Sequence, residues 1–144
     1  TLVLIRSTIP KDVEVILNLG KLPIIECYPG KLNQVFMNLL TNAVYAVTKK
    51  AQGPRRLIIS TYEKNGQVYA EFEDTGIGMT KEVKDKIFEP FFTTKDVGEG
   101  TGLGMSIVFK IVESHHARME LESQPGEGTK ITHVLNKTIN QQVK

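Results

Sequence analysis

Residues 56–74, RLIISTYEKNGQVYAEFED, alternate apolar and polar side chains on either side of Asn65-Gly66. Period-two alternation marks a strand with one buried face, and Asn-Gly supplies the two left-handed residues that a two-residue hairpin turn requires. The stretch predicts two antiparallel strands, Arg56 to Glu63 and Gln67 to Glu73. Upstream, from Pro29, the apolar residues Leu32, Val35, Phe36, Leu39, Leu40, Ala43 and Val47 recur every three or four positions. That is the period of a strongly amphipathic helix, and proline suits its first turn.

Working outward, Val13, Val15 and Leu17 alternate with polar positions and predict a strand ending near Gly20, with Ile24 to Cys27 as a short second one. Thr80 is placed to cap a short helix through Ile87, and another helix is expected from about Gly102 to Ser114. Met119 to Ser123 and Lys130 to Leu135 flank a Gln-Pro-Gly-Glu-Gly turn and read as a closing hairpin. The expected fold class is α/β: a two-layer sandwich of a mixed sheet of about five strands, with three main helices on one face.

With 144 residues and 40% hydrophobic content, the chain suits a single domain over 1–144. Eighteen basic against 16 acidic residues, with the signs interspersed, give no strong field for nucleic acid or membrane. No apolar run reaches the roughly 20 residues of a membrane span, and residues 1–5 lack the order of a signal peptide; a cytoplasmic setting is expected. Cys27, the single cysteine, has no internal disulfide partner and is expected to be a buried, inert thiol. The chain begins without methionine and in mid-pattern, as a domain cut from a longer protein would. Residues 1–11 are expected to be the remnant of a connection to an upstream element, and 136–144 a polar tail.

Four clusters carry chemistry. Gln34, Asn38 and Asn42 are spaced by four and share one face of the long helix. Alone, the row reads as solvated helix surface. An amide oxygen can also ligate a hard cation whose shell is completed by phosphates and water, and on that reading Asn42 is the candidate ligand. Asp74-Thr75-Gly76-Ile77-Gly78-Met79 puts a carboxylate at a strand end, before two glycines that allow close backbone approach. It reads either as an ordinary Asp-x-Gly turn or as an acceptor for a donor such as an exocyclic adenine amine.

Phe88-Glu89-Pro90-Phe91-Phe92-Thr93-Thr94-Lys95 reads as an apolar anchor followed by a cation. Lys95 is either a solvated surface lysine or a point charge against a phosphate. Gly98-Glu99-Gly100-Thr101-Gly102-Leu103-Gly104 leads into an amphipathic helix. Successive backbone N–H groups at a helix start cradle anions, and the same glycines can hinge a lid. No buried strand directly precedes them and no Gly-x-x-x-x-Gly-Lys-Ser/Thr occurs, which argues against the dinucleotide and P-loop classes.

In this order and spacing the clusters resemble the catalytic ATP-binding domain of bacterial sensor histidine kinases, the GHKL or Bergerat fold shared with gyrase B and MutL. Residues 38–43 are similar to that family's N box, 74–78 to its G1 box, 88–95 to its F box and 100–104 to its G2 box. The F-box wording is similar to the nitrogen-regulatory, NtrB-like class, and the likeness spans roughly residues 12–135.

The resemblance implies a domain that binds ATP and Mg2+ and transfers the γ-phosphoryl group to a histidine. Asn42 is implied as the metal ligand, Asp74 as reader of the adenine amine, and Gly76 and Gly78 as base-pocket lining. Gly100, Thr101, Gly102, Leu103 and Gly104 are implied around the phosphates, Thr129 near the adenine, and Asn38 and Lys95 in nucleotide binding and catalysis. The implied partners are a dimerisation and phosphoacceptor helical hairpin of the same full-length chain and a downstream response regulator, with the isolated domain monomeric and the full-length protein homodimeric.

Many members of the family carry lysine three residues after the second N-box asparagine. Tyr45 stands there in this chain, and Lys95 is the candidate substitute. Hydrolytic members place glutamate where this chain has Asn38, and an amide cannot deprotonate water, which disfavours an ATP-hydrolysing clamp. A regulatory nucleotide-binding module without turnover is the other alternative. His115 and His116 fall near the end of the lid helix, where a last-turn histidine is favourable, and lack the acid and proline that follow a phosphoacceptor. His133 is expected in a strand.

Overall fold

The computed structural model describes residues 9–50, 52–89 and 104–138. The elements are β1 (Glu14–Leu19), α1 (Pro29–Lys49), β2 (Arg56–Lys64), β3 (Gln67–Asp74), α2 (Lys81–Lys86), α3 (Gly104–Ser114), β4 (Arg118–Gln124) and β5 (Gly128–Asn136). The strands form one five-stranded sheet in the order β1-β2-β3-β5-β4. β1 runs parallel to β2 and the other pairs are antiparallel, so the sheet is mixed as expected.

The β2–β3 hairpin turns at Asn65 (φ 54°) and Gly66 (φ 76°). Two left-handed residues match the twist of the flanking strands, and they set Lys64 opposite Gln67. Period two then sends Ile59 on β2, Ala70 and Phe72 on β3, and Ile131 on β5 toward the helices. They meet Val35, Leu39 and Leu40 of α1 and Met105, Val108, Ile111 and Val112 of α3. A second cluster joins Val13, Ala43, Val47 and Leu57. Both long helices therefore cover one face, and burial of their apolar stripes holds the layers together.

Three local expectations change. Ile24 to Cys27 forms no strand and joins no part of the sheet: Ile24 is 99% exposed and Ile25 and Cys27 are only half-buried, although the Glu26 N–H donates to the Lys137 carbonyl at 2.7 Å. Cys27 is half-buried rather than buried. His115 is not a cation at a helix end. It follows α3, is 2% exposed, and its Nε2 accepts the Tyr28 N–H at 3.0 Å.

An accepting Nε2 leaves the ring proton on Nδ1, which donates to the Ile111 carbonyl at 3.0 Å. Tyr28 is the residue before α1 and its side chain makes no cap. A neutral histidine from the end of α3 thus takes the N–H that precedes the α1 helix. The short helix α2 starts as expected, with Thr80 Oγ1 accepting the Val83 N–H at 3.2 Å.

Candidate functional site

β3 delivers Asp74 to one end of the sheet. It follows Val68, Ala70 and Phe72 at steps of two, all buried on the helix side, so the same alternation that builds the core also buries this carboxylate, to 6% exposure. The Gly76 N–H donates to its Oδ1 at 2.9 Å, and the Thr129 N–H donates to the carboxylate as well. Burial pushes the carboxyl up to about 6, the two backbone donors pulling against that rise.

The turn after Asp74 lies directly on α1. The Ile77 N–H donates to the Ala46 carbonyl at 3.2 Å. A Cβ on Gly76 would stand 2.5 Å from the Ala46 carbonyl carbon, so only glycine permits the approach. Gly78, at φ 68°, lies against the Gln124 carbonyl, which an added Cβ would strike. Thr75 fastens the base of the turn, its hydroxyl donating to the Pro54 carbonyl at 2.7 Å and accepting the Arg56 N–H at 2.9 Å.

Asn38, Asn42 and Ala46 are spaced by four and share a face of α1. The Asn38 Nδ2 donates to the Gly104 carbonyl at 3.2 Å, which joins α1 to the first residue of α3. Asn42 is half-buried between the two, and Gln34, one turn back, is exposed. One face of α1 therefore runs from the start of α3, at Asn38, to the Asp74 turn, at Ala46. Eight residues of helix measure about 12 Å.

Thr129 on β5 pairs with Asp74 on one side and Ser123 of β4 on the other. A cleft of about 510 Å³ opens here, with Asp74, Lys84, Leu121, Ser123 and Thr129 among its lining. Three participants were not singled out by the sequence: Ser123, Lys84, whose Nζ donates to the Ser123 carbonyl at 3.0 Å, and the carbonyl of Ala46. Ser123 sits in an ordinary alternating strand and Ala46 acts through its backbone, so neither leaves a signal in side-chain pattern. At Tyr45, the Lys49 Nζ stands 5.3 Å from the ring centroid.

Of the sequence-derived site residues, Asn38, Asn42, Asp74, Gly76, Gly78, Gly104 and Thr129 converge on this end of the fold. Lys95, Gly100, Thr101, Gly102 and Leu103 lie outside the described residues. Among the described residues no three histidine, cysteine or acidic side chains group to hold a metal, and no helix is long and apolar enough to cross a membrane.

The family described as "Histidine kinase-, DNA gyrase B-, and HSP90-like ATPase" matches residues 27–139. Sporulation kinase E of Bacillus subtilis (strain 168) is 37% identical over 108 residues, covering 75% of this chain and 14% of the relative. The catalytic domain of histidine kinase ThkA superposes with a TM-score of 0.79 at 29% identity, over 96% of this chain and 88% of that one. Full-length ShkA in complex with AMPPNP gives a TM-score of 0.72 at 25% identity, over 85% of this chain and 25% of that one. The chain spans less than a quarter of the length of the curated relatives it matches first.

Proposed function

Because this chain belongs to the histidine kinase-, DNA gyrase B- and HSP90-like ATPase family, whose fold implies nucleotide use, we propose that it binds Mg-ATP along α1 and supplies the γ-phosphoryl group to a histidine on a separate helical hairpin of the full-length protein. The observation that carries this is the α1 face itself. It connects a buried acceptor carboxylate at Ala46 with the start of α3 at Asn38, about 12 Å apart by helix rise, which suits a nucleoside polyphosphate better than a free base. ShkA, a structural neighbour, was solved with an ATP analogue.

In this reading Asp74 accepts the adenine amine, with Gly76 and Gly78 keeping the turn close to α1. Asn42 offers one amide oxygen to Mg2+. The sparse donor set fits a cation that keeps phosphate oxygens and water as its other ligands, and bound there it would neutralise charge on the transferring phosphate. The backbone of residues 100–104 cradles phosphates at the start of α3, and Lys95 adds a point charge.

Transfer forms a bond from an acceptor imidazole nitrogen to the γ-phosphorus as the bond to the ADP oxygen breaks. Asn38 commits its N–H to Gly104 and has no basic group for activating water, which favours transfer over hydrolysis. The NtrB-like subclass, a response regulator downstream, a homodimeric full-length protein and a cytoplasmic setting belong to the same proposal.

The test mixes this domain with a separately produced acceptor hairpin and γ-labelled Mg-ATP. Acid-labile label on the hairpin is the expected result. Free phosphate without labelled protein would favour the ATP-hydrolysing clamp, and tight ATP binding with neither product would favour a regulatory module.

A further inference from the structure

Ser123 is 7% exposed and its hydroxyl has three neighbours. It accepts the Met79 N–H at 2.8 Å, lies 3.0 Å from the Gly128 carbonyl and lies 2.8 Å from Thr129 Oγ1. A backbone N–H can only donate and a carbonyl can only accept. A serine hydroxyl carries a single hydrogen. All three contacts are hydrogen bonds under one assignment alone: Ser123 gives its hydrogen to Gly128, and Thr129 gives its hydrogen to Ser123.

We infer that Ser123 is a positioning residue that fixes the proton direction of Thr129 and thereby makes the base pocket a double acceptor, selective for a nucleobase carrying an exocyclic amine. This rests on the nucleotide reading above. With its hydrogen held by Ser123, Thr129 Oγ1 has only lone pairs left for the cleft, beside the Asp74 carboxylate. The backbone N–H of Thr129 already donates to that carboxylate. Two neighbouring acceptors match an amine, which has two hydrogens to give. A purine lacking the amine leaves both acceptors unpaired in a desolvated site. Lys84, donating to the Ser123 carbonyl, steadies the serine from the backbone side.

The experiment compares binding of ATP and of purine riboside triphosphate, which lacks the 6-amine, by calorimetry on the wild type, Ser123→Ala, Ser123→Thr, Thr129→Val and the Ser123→Ala/Thr129→Val pair. In Ser123→Ala the Thr129 hydrogen can rotate toward the cleft, so the preference for ATP should shrink about tenfold, the worth of roughly one hydrogen bond. Ser123→Thr, which keeps the hydroxyl, should restore it. Thr129→Val should show the same loss of preference, and adding Ser123→Ala to it should change the preference no further. Equal weakening of both nucleotides by Ser123→Ala, or further loss of preference in the pair, overturns the inference and leaves Ser123 a purely structural residue. If Ser123→Ala does not fold, an unchanged preference in Thr129→Val overturns it instead. A wild type that binds neither triphosphate sinks the nucleotide reading itself.

Discussion

Asn38 and Gly104 are joined by a hydrogen bond from the side-chain amide to the backbone carbonyl, 3.2 Å long and partly buried. It fastens the long helix to the first turn of the helix that follows the glycine-rich stretch. Position 38 is therefore a donor, a role that a carboxylate of similar size cannot fill.

Asn38→Asp should consequently harm the domain more than Asn38→Ala. Alanine loses one hydrogen bond, about 1 kcal/mol, whereas aspartate also sets a negative charge against a carbonyl oxygen. Urea unfolding at pH 7 should rank the wild type above Asn38→Ala and Asn38→Ala above Asn38→Asp. The reverse order of the two variants would mean that the amide is not acting as a donor to Gly104.

Asp74 sets binding against stability. Burial raises its carboxyl to about 6, so the fold favours the protonated form. The stabilisation is complete below the unfolded value near 3.8 and is lost as pH rises through about 6. Asp74→Asn, neutral throughout, should make the nucleotide-free domain more stable than the wild type by about 3 kcal/mol at pH 8 and nearly equal at pH 4. The same variant should lose ATP binding in calorimetry, since its amide can present hydrogens where the base needs an acceptor. A variant that keeps wild-type affinity would remove Asp74 from the base pocket.

His133 works in the opposite direction. It is fully buried on β5, neither ring nitrogen has a hydrogen-bond partner among the described residues, and Phe36 packs near its ring at 6.1 Å between centroids. Burial lowers it from 6.5 to about 4. Its contribution is present above pH 6.5 and lost as pH falls toward 4. His133→Met should flatten the loss of stability between pH 7 and pH 5, and at pH 7 should cost little, because it removes two unsatisfied nitrogens while keeping an apolar volume. Parallel pH dependences in the two proteins would place the acid sensitivity elsewhere.

Lys95→Ala should lower phosphotransfer to an acceptor hairpin more than it weakens ATP binding, since a charge on the transferring phosphate matters most as the bond breaks. Single-turnover labelling alongside calorimetry separates the two effects. Equal losses in both would leave Lys95 as a binding residue only.

Short-range periodicity and turn chemistry make much of this protein legible in its sequence alone. Asn65-Gly66 specified the hairpin because two left-handed residues admit few alternatives, and the apolar stripe from Leu32 to Val47 specified which face of α1 is buried. Asp74 and its glycines were legible for the same local reason, as a strand end followed by residues without side chains. Ile24 to Cys27 reads as a strand in sequence but is none, because an apolar run becomes a strand only where a sheet edge arrives to pair with it, and among the described residues none pairs with this segment.

What only the tertiary structure decided are the relationships between residues far apart in the chain. That Asn38 spends its amide on Gly104, that His115 is a neutral acceptor for Tyr28, that Gly76 rests on the carbonyl of Ala46, and that Ser123 orients Thr129 all depend on which helix end or strand edge arrives opposite. Sequence pattern records the period of a segment and the chemistry of its side chains. The direction of a hydrogen bond and the proton of a buried histidine are set by the partner, which packing alone brings into place.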